Sequence, residues 1–282
     1  MTFASYETSR DAGKPVDLYF FRHGSDPAAY YAYTDADFPL TVDHGDGPIT
    51  YEAVPIRRGE ISSTGTLDRS TLEVSTARDA ELADLFRVYP PSQVVTLIIR
   101  QSHLDDPDEE FPVVWTGRIV SSSRKKDSSV SYSCEPVSTS MRRPGLRRHY
   151  QYGCPHALYG PQCSANKAAA TVTATVDSIS GTSVTLDTGW NAHDVSKYLG
   201  GMIEWTNDDG QQEMRTILRV TGDTLSCSGI LRDLDVGATI SVILGCSQQL
   251  GDCKDLHNNI VNYGGQPWIP LKNPVGFYNN YY

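Results

Sequence analysis

The chemistry this sequence can offer resides in two pairs of cysteines. Cys154 and Cys163 bracket eight residues in Cys154-Pro-His-Ala-Leu-Tyr-Gly-Pro-Gln-Cys163, and Cys246 and Cys253 bracket six in Cys246-Ser-Gln-Gln-Leu-Gly-Asp-Cys253. Four thiols in two pairs match the donor count of one four-thiolate site, holding either a metal ion or an iron–sulfur core. Structural zinc uses four thiolates too, but paired zinc ligands usually stand roughly two to four residues apart. The wider gaps suit loops wrapped around a bulkier core, so spacing gives iron–sulfur a slight lead over zinc. Four ordinary buried thiols remain a third reading. His156 and His257 stand beside the pairs, where they either steady the ligands by hydrogen bonding or pack locally. Cys134 and Cys227 fall inside strand-like runs, 130–137 and 224–229, and read as core residues.

The elements that must position these pairs lie between them. Residues 168–244 read as an almost purely β unit. The run 171–179 alternates, Gly181 marks a turn and 183–186 returns; 202–205, Asn207-Asp-Asp-Gly210 and 213–220 form a second hairpin. Six or seven short strands in so few residues predict a small barrel or sandwich. Because the cysteine pairs flank this unit, a shared centre would staple its entrance to its exit. The expected domains are therefore 1–149, a β-rich domain with one short helix, and 150–282. The latter carries cysteine loops 154–163 and 246–253 and a tail, 254–282.

In the first half, 16–22, 48–55, 72–76, 94–100 and 113–120 read as strands bounded by turn formers. One helix is predicted over 79–88, where Ala80, Leu82, Ala83, Leu85 and Phe86 share a face and Pro90-Pro91 ends it. The acidic stretch 104–110 reads as an exposed hairpin loop; a calcium site there would lack the ligand alternation and central Gly of a dedicated loop. Arg142, Arg143, Arg147, Arg148 and His149 lead into the first cysteine pair, either as a solvated linker or as countercharge to a thiolate-bound core.

With 282 residues, 21% charged and 39% apolar, the composition is that of a folded soluble chain able to form two domains. Its net charge of −10 argues against broad binding to nucleic acid phosphates. No run reaches the roughly 18 apolar residues of a bilayer span, so stable membrane insertion is not expected. Nor does a secretory leader open the sequence, which points to folding in a reducing cytoplasm and to thiols that are free or metal-bound.

The tail carries a further pattern: Gly245-Cys246, Cys253, Asn258-Asn259, Asn262-Tyr263-Gly264-Gly265 and Pro267-Trp268-Ile269-Pro270. It resembles the C-terminal signature of tail-tip or baseplate hub proteins of long-tailed bacteriophages and gene transfer agents. The loop from Cys154 to Cys163 is similar to the earlier cysteine loop of that family. Residues 37–76, with Tyr51 and Ile56-Arg57-Arg58-Gly59-Glu60-Ile61, look like its N-terminal β domain. His257 and Tyr263 stand where the family has Phe. The resemblance implies a virion protein assembled in the host cytoplasm and sited at the tail tip. It implies a homotrimeric hub joining a distal tail protein and the tail tube to the central fibre, with DNA only as passing cargo. It also implies a structural [4Fe-4S] cluster on Cys154, Cys163, Cys246 and Cys253, with zinc as the alternative.

Catalysis is not expected. Neither Gly-x-Ser-x-Gly, His-Glu-x-x-His nor a P-loop occurs. The alternative reading is a tail-associated wall hydrolase using Cys134 with His103 or His149, or a glycan-binding tail protein. For the latter, Tyr30-Tyr31-Ala-Tyr33 and Phe277-Tyr278-Asn-Asn-Tyr281-Tyr282 could present rings to sugars, though burial against a neighbouring subunit explains them as well.

Overall fold

The computed structural model describes residues 3–9, 11, 13–45, 47–61, 71–87, 89–104, 106–126, 128–142, 149–208 and 210–270, with only the backbone of 140–142. The chain divides into two compact units, Met1–Arg143 and Pro144–Tyr282, and the fold of both is mainly β.

The first unit is one nine-stranded sheet. Its strands are β1 (Pro15–His23), β2 (Tyr30–Thr34), β3 (Leu40–Asp43), β4 (Pro48–Ala53), β5 (Ile56–Arg58), β6 (Leu72–Ala77), β7 (Val95–His103), β8 (Val113–Arg124) and β9 (Ser129–Pro136). They are ordered β3-β4-β2-β1-β7-β8-β9-β6-β5, antiparallel except for the β2–β4 pair. Arg58 on the outermost strand donates from Nε to Oδ2 of Asp17 on β1 at 2.6 Å, a contact between strands five places apart that requires the sheet to curl. Alternation along β1 divides the apolar side chains. Tyr19 and Phe21 join a large core with Val74, Leu97, Ile99 and Tyr132, while Leu18 and Phe20 meet Ala32 and Tyr51 on the other face.

Two helical turns accompany the sheet, α1 (Phe3–Glu7) and α2 (Glu81–Leu85). The first has no counterpart in the sequence reading. It is held by its neighbours: Phe3 and Tyr6 lie against the ring of His103, and Glu7 Oε1 is 3.0 Å from His103 Nε2. The second is shorter than the predicted 79–88, since Ala80 at its N-cap makes no side-chain cap bond. Tertiary contacts fix it instead. Leu82 and Ala83 are fully buried, the Leu82 amide donates to Tyr33 Oη, and Arg124 donates to the Ala83 carbonyl.

The second unit is a closed six-stranded barrel, which decides between barrel and sandwich. Its strands are β10 (Thr171–Ser180), β11 (Ser183–Leu186), β12 (Met202–Thr206), β13 (Gln212–Thr221), β14 (Thr224–Cys227) and β15 (Thr239–Ile243), in the order β10-β11-β14-β13-β12-β15. Inward positions alternate: Ala174 and Val176, Val184 and Leu186, Ile203 and Trp205, Leu225 and Cys227, Ile240 and Val242 are buried. Glu213, Arg215 and Ile217 are the inward positions of β13, where Arg215 pairs with Glu213 at 3.0 Å. Register shifts after Val176 and after Ile217 sharpen the local bend that closure requires.

β10 and β15 are antiparallel neighbours, with Thr171 opposite Ile243. The chain entering β10 and the chain leaving β15 therefore emerge at the same end of the barrel. Among the described residues no helix is long and apolar enough to cross a membrane.

Candidate functional site

That barrel end is where the cysteine loops meet. Cys154, Cys163, Cys246 and Cys253 all line one cavity of about 100 Å³, together with His156, Leu158, Gly200, Gln248, His257, Asn259 and Asn262. Strand pairing brings the two loops to the same place, and a set of specific bonds then joins them. The Cys154 amide donates to the Gln248 carbonyl at 2.8 Å, and Tyr159 Oη donates to the Leu244 carbonyl at 2.7 Å. Tyr263 Oη donates to the Tyr152 carbonyl at 2.9 Å and reaches the Gln248 carbonyl at 3.4 Å, touching both loops.

The residues after Cys253 form the lid of this arrangement. A π-helical turn, Asp252–Leu256, is anchored by Lys197, whose Nζ lies 2.8 Å from Asp252 Oδ1, and by the Ser247 amide on Asp252 Oδ2. Burial alone would raise the Asp252 carboxyl, but the Lys197 ammonium and the Ser247 hydrogen bonds outweigh it and hold it at about 2. Asn258 then takes a left-handed conformation (φ 47°), a backbone state asparagine tolerates better than most residues. That turn aims Asn259 back at the first loop. Its Nδ2 donates to the Cys163 carbonyl and lies 3.7 Å from Cys163 Sγ, while its Oδ1 accepts from Asn262 Nδ2 at 2.7 Å.

Polar hydrogens converge on the sulfurs. The Gly264 amide points at Cys154 Sγ (3.4 Å), the Gln248 amide at Cys246 Sγ (3.3 Å) and Asn259 Nδ2 at Cys163 Sγ. Cys253 Sγ lies 3.2 Å from the Asn259 carbonyl, to which it donates as a thiol. Burial pushes the Cys253 thiol up to about 11, and the neighbouring cysteines push the same way; burial likewise raises Cys246. Without a cation Cys246 and Cys253 therefore keep their protons, whereas a cationic core would take cysteines as thiolates. Hydrogen-bond donors on the sulfurs are one of the means by which a protein tunes a bound iron–sulfur core.

Glycine is required at three close approaches. A side chain at Gly245 would collide with the Leu199 carbonyl, so residue 245 has to be glycine for the chain to leave β15 towards Cys246. A Cβ at Gly264 would come within 2.5 Å of both Cε1 and Nε2 of His156. One at Gly265 would stand 2.6 Å from the Tyr152 carbonyl.

The two histidines separate. His257 Nε2 lies 2.9 Å from the Gly245 carbonyl, and its ring meets Tyr159 edge-on at 5.8 Å, a structural strut between the loops. His156 has Nδ1 on the Asn262 carbonyl at 3.1 Å, with Nε2 buried and without a hydrogen-bond partner.

Three comparisons bear on this region. The family model of the phage conserved hypothetical protein BR0599 matches residues 196–273. That stretch covers β12 to β15, the second cysteine loop and the Asn-Asn and Asn-Tyr-Gly-Gly segments, but not Cys154 or Cys163. An uncharacterized protein of Xylella fastidiosa (strain 9a5c) is 25% identical over 170 residues, which is 56% of this chain and 34% of that protein. The chain thus spans about a third of that relative's length. A chain in the solved virion of a native gene transfer agent particle superposes with a TM-score of 0.72 at 15% identity, covering 99% of this chain and 97% of that one. The fold is therefore one already seen in a chain of that particle.

The remaining candidates from the sequence find other roles. Cys134 is fully buried in β9, its Sγ bonds to the Tyr132 carbonyl, and burial pushes its thiol up to about 12, far from a ready nucleophile. His103 engages Glu7, Phe3 and Tyr6, and His149 is exposed. Cys227 is buried in the barrel. Tyr33 is part of the first unit's core rather than a sugar platform, and only Tyr30 of that trio is exposed, its ring 5.3 Å from Phe20. The acidic loop is exposed at Asp108, Glu109 and Glu110, but Asp106 folds inward and accepts from the Asp108 amide. Arg143, Arg147, Arg148 and the aromatic residues 277–282 lie outside the described residues, as does the side chain of Arg142.

The sequence reading missed the struts that do not look chemical: Tyr159 on Leu244, Lys197 on Asp252, and the donors of Gln248 and Gly264. Lys197 gives no local sign of its partner, which is 55 residues away.

Proposed function

We propose that this chain is a structural component of a phage-type or gene-transfer-agent-type virion, the hub at the tail tip, and that its four paired cysteines hold a [4Fe-4S] cluster. The observation that carries the proposal is the single cavity lined by all four cysteines, which come from loops more than 80 residues apart in the chain. The virion assignment is supported by the full-length likeness to a gene transfer agent chain and by the phage family match.

The donor set fits an extended core. A tetrahedral zinc at about 2.3 Å from each sulfur would draw the four sulfurs to about 3.8 Å from one another. Here the four cysteines line a cavity of about 100 Å³. Amide and carboxamide hydrogens already aimed at Cys154, Cys163 and Cys246 are suited to sulfurs that carry negative charge.

When bound, the cluster supplies four metal–thiolate bonds and no reaction. The chain's own residues do the rest. Tyr159, Tyr263 and Asn259 hold the loops in register, Gly264 and Gly265 let the tail pass close over the first loop, and the strand pair β10–β15 brings both loops to one end. The effect is a clasp on the entrance and exit of the barrel. Cross-linking a loop of this length removes unfolded-state entropy of about 4.5 kcal/mol by the chain-closure model. In the assembly we place it as a homotrimer between distal tail protein and tube on one side and central fibre on the other.

The experiment is an absorption spectrum with iron, sulfide and zinc analysis of anaerobically purified protein. The expected result is about four irons and four sulfides per chain. Stoichiometric zinc, or thiols with no metal, would overturn the cluster assignment. Light scattering, alone and with the tail-tube protein, tests the hub: a trimer that caps the tube is expected, and a monomer with no affinity for the tube would refute it.

A further inference from the structure

The four-thiol reading leaves one cavity residue unexplained. His156 is 8% exposed and lies on the cavity wall two residues after Cys154. Its Nδ1 is 3.1 Å from the Asn262 carbonyl, and since a carbonyl can only accept, Nδ1 carries the hydrogen. In the neutral ring Nε2 is then the atom with the lone pair, and that atom is buried with no hydrogen-bond partner. A buried, unpartnered polar nitrogen costs about 1–3 kcal/mol unless something satisfies it.

Two further features point to what that is. Gly264 lies across the Cε1–Nε2 edge of the ring, where a Cβ would stand 2.5 Å from both atoms, and the same glycine's amide contacts Cys154 Sγ, so that edge and that sulfur flank one residue. A carbonyl bound to one ring nitrogen is also the usual means of setting the tautomer and aim of a histidine whose other nitrogen binds a metal. The same cavity wall carries the four cysteines, so a metal core held by them would present an electropositive partner to Nε2.

We infer that His156 Nε2 is a fifth donor of this site, a nitrogen ligand able to bind iron in place of Cys154. The inference rests on the iron–sulfur reading of the cavity. Imidazole in place of thiolate is chemically ordinary for such cores and raises their potential where it occurs. A nitrogen in reserve beside the first cysteine would let the clasp survive oxidation of that thiol, a useful property in a particle that leaves the reducing cell.

The test uses the full chain reconstituted anaerobically with ferrous iron and sulfide, in four forms: wild type, Cys154→Ala, His156→Ala and the double variant. Cys154→Ala is expected to retain iron and, after reduction, to show nitrogen hyperfine coupling from an imidazole in pulsed electron paramagnetic resonance. The double variant is expected to lose at least tenfold in iron occupancy relative to Cys154→Ala. His156→Ala, with all four cysteines intact, is expected to release iron to a chelator roughly tenfold faster than wild type. This arm stands even if Cys154→Ala fails to fold. Iron bound by Cys154→Ala without nitrogen coupling, loss of iron from Cys154→Ala while wild type holds it, or chelator release from His156→Ala at the wild-type rate would each overturn the inference. Those outcomes leave the four-cysteine reading intact, whereas wild type that takes up no iron and sulfide removes both.

Discussion

Replacing Asn259 with alanine tests the clasp without reference to any bound core. Asn259 is 9% exposed and its carboxamide joins three segments. Nδ2 bonds the Cys163 carbonyl and faces its Sγ, and Oδ1 accepts from Asn262. Truncation leaves the Cys163 carbonyl without this donor, at about 1–2 kcal/mol for a shielded acceptor. Asn262 is exposed, so water takes over its amide and the loss there is about 0.5 kcal/mol. Removing most of a closely packed side chain adds about 0.5–1 kcal/mol. The total is about 2–3.5 kcal/mol, which at a urea dependence of about 2 kcal/mol per molar lowers the unfolding midpoint by roughly 1–2 M. The signal comes from Trp190 and Trp205, both buried in the barrel interior, read by fluorescence and near-ultraviolet circular dichroism in metal-free protein. Asn262→Ala is the control and should lose no more than about 0.5 kcal/mol. If Asn259→Ala shifts the midpoint no further than Asn262→Ala, the loops are not held by this side chain and the account of the site as a preformed clasp is wrong.

Three other perturbations have definite signs. Arg58→Met leaves Asp17 buried without its bidentate partner, at 2.6 and 3.2 Å, and should destabilise the first unit by about 3 kcal/mol in urea titration, with the barrel unaffected. Gly245→Ala drives a Cβ into the Leu199 carbonyl; a loss of about 3 kcal/mol or failure to form the barrel is expected by circular dichroism. Burial raises Cys134 from 9.0 to about 12, so the folded state holds that proton longer than the unfolded one. Its contribution is complete below pH 9 and is lost as pH rises towards 12. Stability of Cys134→Ala measured across that window should fall less steeply than wild type, by one proton equivalent.

Much of the fold was legible because it follows from local pattern. Period-two alternation in 171–179 and 213–220 is enough to make strands, and Asn207 to Gly210 and Gly181 are enough to make turns, so a small β unit followed directly. Where the reading slipped, long-range contact had overruled local preference. The predicted helix over 79–88 contracts to Glu81–Leu85 because no residue caps it and the Tyr33 hydroxyl and Arg124 hold only that one turn. The turn at Phe3–Glu7 is carried by His103, almost a hundred residues away.

At the site, residue types and spacing determined that four thiols were available in two pairs, with gaps that favour an iron–sulfur core over zinc only slightly. Nothing in the one-dimensional order says which end of a barrel each loop leaves from. That is decided by β10 and β15 pairing antiparallel, with Thr171 opposite Ile243, which sets the chain before one strand beside the chain after the other. Nor can the order show that His156 keeps a nitrogen unpaired, since that depends on a carbonyl 106 residues downstream and on a glycine lying across the ring. Sequence determines which groups exist and which short segments curl or extend. Only the closed tertiary structure, by burying some groups and pairing others, decides which of them remain available to bind.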